Sequence, residues 1–84
     1  MNSIEWTKKA TKQLLKIDRA NQQSLFQGVQ DLKGFPDCQN VKALVNHEYH
    51  YRLRIGRFRV FFEFMSQIKI IRIEEVKKRD ERTY

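Results

Sequence analysis

Eighty-four residues make a single small domain spanning 1–84. It has room for one core and lacks an apolar run long enough for a membrane span or a signal peptide, so a soluble, cytoplasmic protein with no membrane partner is expected. Hydrophobic residues at 40 % and aromatics at 12 % exclude a disordered chain. Seventeen Lys/Arg against ten Asp/Glu give a net charge of +7, which points to a polyanion or an acidic protein as partner.

Ile4 and Trp6 alternate with Ser3, Glu5 and Thr7, the pattern of a short first strand. From Thr7 the period changes. Ala10, Leu14, Leu15 and Ile17 fall at helical spacing while Lys8, Lys9, Lys12 and Lys16 take the wet face. Asp18 reads as the N-cap of a second helix with Leu25, Val29 and Leu32 on one stripe and Phe26 beside it. Gly34 and Pro36 stop that helix. The rest reads as sheet: Tyr49 to Ile55, Phe58 to Met65 and Ile68 to Val76, joined at Gly56-Arg57 and Ser66-Gln67. Val41 to Val45 fits either strand or loop. The expected fold class is α+β: a short N-terminal strand and a two-helix hairpin packed on one face of a twisted antiparallel β-sheet.

The positive charge is spread along the chain. Residues 1–42 hold seven bases and four acids, residues 43–84 ten bases and six acids. The second half concentrates arginine at positions 52, 54, 57, 59, 72, 79 and 82. A guanidinium fork suits phosphate better than an ammonium does.

A two-residue type II′ turn at Gly56-Arg57 sets the register of the first hairpin. Ile55 then faces Phe58, and the pairs run Arg54–Arg59, Leu53–Val60, Arg52–Phe61, Tyr51–Phe62 and His50–Glu63. One face collects Tyr51, Leu53, Ile55, Phe58, Val60, Phe62 and Phe64, an apolar bed for the helices. The other collects His50, Arg52, Arg54, Arg59, Phe61 and Glu63. A slip of one residue would spoil the split, so the register is well specified. Arg54 across from Arg59 is unfavourable in itself, by up to ~1 kcal/mol. Either Glu63, Glu74 or Glu75 neutralises the cluster, or it is solvated, or it awaits phosphates or an acidic peptide. Phe61 in its midst offers a surface for a base to stack on. His50 with Glu63 is a candidate proton-transfer pair, since His titrates near neutral pH. His47 has no such partner in this register. Cys38, the single cysteine, has no evident base beside it, and no Cys/His set has zinc-site spacing; it is expected to be an inert thiol, and neither metal nor cofactor is expected.

Two stretches resemble a known family: Tyr51-Arg52-Leu53-Arg54-Ile55-Gly56-Arg57-Phe58-Arg59-Val60 and the ending Val76-Lys77-Lys78-Arg79-Asp80-Glu81-Arg82-Thr83-Tyr84. With the order of elements, they make the chain similar to the RelE/ParE superfamily of bacterial type II toxin–antitoxin toxins. The RelE branch implies a ribosome-dependent, metal-independent endoribonuclease that cuts mRNA in the A site and so inhibits translation. There the 2′-hydroxyl attacks its own phosphate, leaving a 2′,3′-cyclic phosphate and a 5′-hydroxyl. By that resemblance Arg59 and Arg79 hold the scissile phosphate, and Arg52 and Arg54 stand where strand lysines stand in RelE. Tyr84 would stack or move a proton, and Lys77, Lys78, Arg82 and Phe61 would contact RNA. Arginine is a poor base, so Tyr84 or the His50/Glu63 pair is the candidate for that role. The implied partners are a cognate antitoxin, the ribosome with its mRNA, and operator DNA for the toxin–antitoxin complex. The ParE branch implies instead an inhibitor of DNA gyrase, and a non-catalytic nucleic-acid-binding module is a third reading.

Overall fold

The computed structural model describes residues 1–79. Strand β1 (Ser3–Trp6) leads into helix α1 (Lys8–Leu15), helix α2 (Arg19–Gln30) and a 3-10 turn at Asp31–Gly34. Strands β2 (Val41–Ala43), β3 (Tyr51–Ile55), β4 (Phe58–Met65) and β5 (Ile70–Lys78) follow. The sheet order is β1-β5-β4-β3-β2. Strands β2 to β5 are antiparallel, as expected; β1 adds to β5 in parallel, Ser3 opposite Ile70 and Trp6 opposite Ile73.

Both helices start where their caps place them. Thr7 Oγ1 accepts from the Ala10 N–H at 3.1 Å, and the Asp18 carboxylate from the Asn21 N–H at 3.3 Å. Leu25, Val29 and Leu32 are buried, with Leu32 in the 3-10 turn rather than in α2 itself. They meet Leu53, Val60, Phe62, Ile71, Ile73 and Val76 from the sheet in one core. Where α2 crosses β3 the backbones are close. A Cβ on Gly28 would lie 2.5 Å from the Ile55 side chain. Phe35 follows the 3-10 turn and packs edge-on against Tyr51, Phe62 and Phe64, at 5.1, 5.5 and 5.1 Å between ring centroids. Buried Asn2 ties β1 to this corner: its amide donates to the Leu32 and Phe35 carbonyls, and its backbone N–H to Lys33.

Val41 to Val45 resolves as strand for its first three residues, and β2 covers the edge of β3. Two strand starts differ from expectation. β3 begins at Tyr51, because residues 45–50 form a string of bends that carries the chain over from β2. β5 begins at Ile70, because four residues, Ser66–Lys69, make the turn, with Lys69 at φ 54°. Ile68 therefore sits in the turn, 64 % exposed, and not in the sheet.

β4 and β5 slip by one residue between Phe61 and Phe62, leaving Glu74 as the extra residue of a bulge on β5. The bulge turns Ile71, Ile73 and Val76 all toward the core. It falls where β1 ends and the outer edge of β5 would be bare. The start of α1 covers that edge. The Thr7 N–H donates to Ile73, the Thr7 hydroxyl to the Glu74 carbonyl, and the Val76 N–H to Gln13 Oε1 at 2.7 Å.

Candidate functional site

The hairpin register is the one expected, from Ile55–Phe58 through Arg54–Arg59 to Tyr51–Phe62. Gly56 has a positive φ of 55°, and Arg57 does not, the combination of a II′ turn. The Arg54 N–H points away from β4, to the Asn40 carbonyl at 3.0 Å. Arg54 and Arg59 thus form a non-hydrogen-bonded pair, the kind that brings facing side chains closest. Past the end of β5, the Arg79 N–H donates to the Arg57 carbonyl at 2.6 Å and pins Arg79 against the hairpin turn. Arg52, Arg54, Arg57, Arg59 and Arg79 consequently line one recess of about 100 Å³ on the face opposite the helices.

No carboxylate among the described residues neutralises Arg52, Arg54, Arg59 or Arg79. Glu63 is taken by His50, Glu74 by Arg72 at 2.6 Å, and Glu75 by Lys9 at 3.4 Å. The Arg52 Nε is buried and has no hydrogen-bond partner. Arg52, Arg54, Arg59 and Arg79, with no described carboxylate on them, make an anion site.

His50 and Glu63 meet as expected. The Glu63 carboxylate accepts the His50 backbone N–H at 3.1 Å and lies 2.7 Å from its Nδ1, while the imidazole stands out in solvent. Arg52, which lines the recess, is two residues from His50 and two from Arg54, ~6.6 Å of extended backbone either way.

Two expected site residues are placed differently. Phe61 is only 6 % exposed, because the rings of His47 and Tyr49 stack on it at centroid distances of 5.1 and 5.5 Å. It offers no free surface to a base. Lys78 pairs with Phe58 and so lies on the helix side, beside Ile17 and Asp18, away from the arginines; Lys77, paired with Arg59, stays on their face. Arg82 and Tyr84 lie outside the described residues.

His47, without a partner in the hairpin register, and Tyr49, expected as the first residue of a strand, take a place that strand alternation does not reveal. They precede β3, where strand alternation gives no guide, and the loop that holds them closes by the Leu44 N–H to His50 carbonyl bond. Tyr49 is fixed by its hydroxyl, which donates to Glu75 Oε1 at 3.0 Å, and its N–H donates to His47 Nδ1. Burial acts to raise the Glu75 pKa, but the Tyr49 and Lys9 contacts outweigh it and hold the carboxyl below its ordinary range. Burial and the neighbouring carboxylate both push the Tyr49 hydroxyl up. The Cys38 thiol is likewise raised, by burial first and then by Asp31 and Asp37, which suits an inert thiol. Among the described residues no group of three or more His, Cys, Asp or Glu is placed to hold a metal, and no helix is long and apolar enough to cross a membrane.

Residues 4–83 match the family described as ParE toxin of type II toxin–antitoxin system, parDE. The chain belongs to the ParE toxin family. Within the RelE/ParE superfamily its fold is shared by solved toxins. A RelE–RelB complex from Pyrococcus horikoshii superposes with a TM-score of 0.79 at 22 % identity, covering 95 % of this chain and 97 % of that one. The RelBE2 complex of Mycobacterium tuberculosis gives 0.79 at 16 %, covering 93 % and 98 %. Isolated Escherichia coli RelE gives 0.81 at 12 %, covering 99 % and 89 %. At these identities the likeness establishes the fold of this ParE-family toxin. No curated protein matches it in sequence.

Proposed function

We propose that this toxin is a ribosome-dependent endoribonuclease that cleaves mRNA in the A site and so inhibits translation. The observation that carries the reading is the recess of Arg52, Arg54, Arg59 and Arg79, uncompensated by any described carboxylate. A 2′-hydroxyl attacks the adjacent phosphorus, the bond to the 5′-oxygen breaks, and a 2′,3′-cyclic phosphate and a 5′-hydroxyl result. Arg59 and Arg79 hold the scissile phosphate and offset the charge that builds on it, and Arg52 and Arg54 hold its neighbours. Guanidinium cannot take the 2′-hydroxyl proton at neutral pH. His50 can. With Nδ1 donating to Glu63, the neutral ring carries its lone pair on Nε2, on a side chain that is largely exposed. Tyr84 is the candidate acid for the leaving oxygen.

The test is cleavage of an mRNA on ribosomes, with the new ends identified chemically. Fragments ending in 2′,3′-cyclic phosphate are expected, with His50→Ala and Arg59→Ala each reducing the rate by 100-fold or more, the scale of losing an acid–base group or a charge-stabilising donor. An intact message contradicts the reading. The ParE family match favours a second reading, inhibition of DNA gyrase through the same fold. A supercoiling assay tests it.

The partners follow from the same face. Two of the structures that resemble this chain are of toxins with their antitoxins. An acidic or amphipathic antitoxin segment would cover or distort the arginine face here, and the complex would bind operator DNA.

A further inference from the structure

His47 and Tyr49 do more than cover Phe61. The His47 ring lies nearly parallel to it at 17° and the Tyr49 ring at 29°, with 42° between the two, so they form a bent two-ring shelf on the arginine face of the sheet. His47 is exposed, although Phe61 takes one face of its ring. The shelf is rigid for a loop. The Tyr49 N–H to His47 Nδ1 bond, at 3.0 Å, sets one ring against the other, and the Tyr49–Glu75–Lys9 chain anchors it to β5 and α1. Phe61 pairs with Arg52, whose buried Nε has no hydrogen-bond partner, and the Arg54–Arg59 pair is two residues further along. The shelf thus stands over the Phe61–Arg52 pair, and Arg52 itself lines the guanidinium recess.

We propose that His47 and Tyr49 form a stacking shelf for one nucleobase of the single-stranded RNA whose phosphates enter the recess of Arg52, Arg54, Arg59 and Arg79. This inference rests on the ribonuclease reading and names the part of the site that holds a base. Shelf and recess divide the labour of single-strand recognition: cations follow the backbone, and an aromatic plane takes a base of any sequence, with purines held best because they stack most strongly. His47 is the working face, and Tyr49 is the residue that positions it.

The test uses the purified toxin and a short single-stranded oligoribonucleotide carrying 2-aminopurine, whose fluorescence falls on stacking. The wild-type protein should bind it with quenching. His47→Leu keeps Phe61 covered but removes the aromatic plane; it should bind roughly 5- to 100-fold more weakly and without quenching, the range that base–aromatic stacking spans. His47→Phe should restore both signals. Both variants lose the Nδ1 acceptor of the Tyr49 N–H, so their thermal melts should match each other. Binding without quenching, or equal affinity of His47→Leu and wild type, overturns the shelf and leaves the ribonuclease reading standing. No binding by the wild type also overturns the shelf, while cleavage on ribosomes judges the ribonuclease reading separately.

Discussion

Asn2 and Arg59 illustrate how single residues divide between holding the fold and carrying the chemistry. Asn2 is the one buried polar residue among those described, and its amide caps two carbonyls at the end of the 3-10 turn. Asn2→Ala leaves both carbonyls without that donor and should cost about 1–3 kcal/mol, read as a lower thermal midpoint. Arg59 is the opposite case. It faces Arg54 in the close type of antiparallel pair, so it opposes folding locally. Arg59→Ala should leave the melt unchanged or raise it by up to about 1 kcal/mol while removing activity. A fall in stability comparable to that of Asn2→Ala would make Arg59 a structural residue. His50 and Glu63 could be paired from the sequence because a II′ turn fixes every partner beyond it. His47 and Tyr49 could not, since a bend-rich loop obeys no period.

At the scale of elements, strand alternation made most of the sheet legible, and its failures have physical causes. The first hairpin follows from Gly56, and the buried face of β4 from Phe58, Val60 and Phe62. The bulge also has a signature in the sequence: Ile71, Ile73 and Val76 cannot all face inward on a strictly alternating strand. Ile68 precedes a run of isoleucines and so has the pattern of a strand residue, while the four-residue turn Ser66–Lys69 takes it up and leaves it 64 % exposed. Parallel pairing of β1 depends on contacts far apart in sequence and had no local signal. The same bulge puts Glu75 on the arginine face, where it links α1 to the loop before β3 through Lys9 and Tyr49. Because the Glu75 pKa is held below its unfolded value, this link contributes stability above the ordinary carboxylate pKa, and that stability is lost as pH falls through the lower folded value. Glu75→Gln should therefore flatten the acid limb of a stability–pH curve measured by denaturant unfolding. An acid limb as steep as that of the wild type would place the titrating group elsewhere.

The whole molecule is a small cationic body that puts its helices on one side of the sheet and its arginine recess on the other. The +7 charge and the lack of described carboxylates on Arg52, Arg54, Arg59 and Arg79 predict a stable complex with an acidic antitoxin. Co-elution on size exclusion should persist at low salt and weaken as the ionic strength rises. Separate elution at every salt concentration would count against an electrostatic interface. The central claim, that the arginine face works on mRNA held by the ribosome, is tested most directly by primer extension on a message in a reconstituted translation reaction. Parallel tubes would contain the toxin with ribosomes, the toxin without them, and ribosomes alone. Cuts spaced in frame, present only where toxin and ribosomes are together, are the predicted result. A message left intact in every tube would contradict the account and turn the same fold toward gyrase.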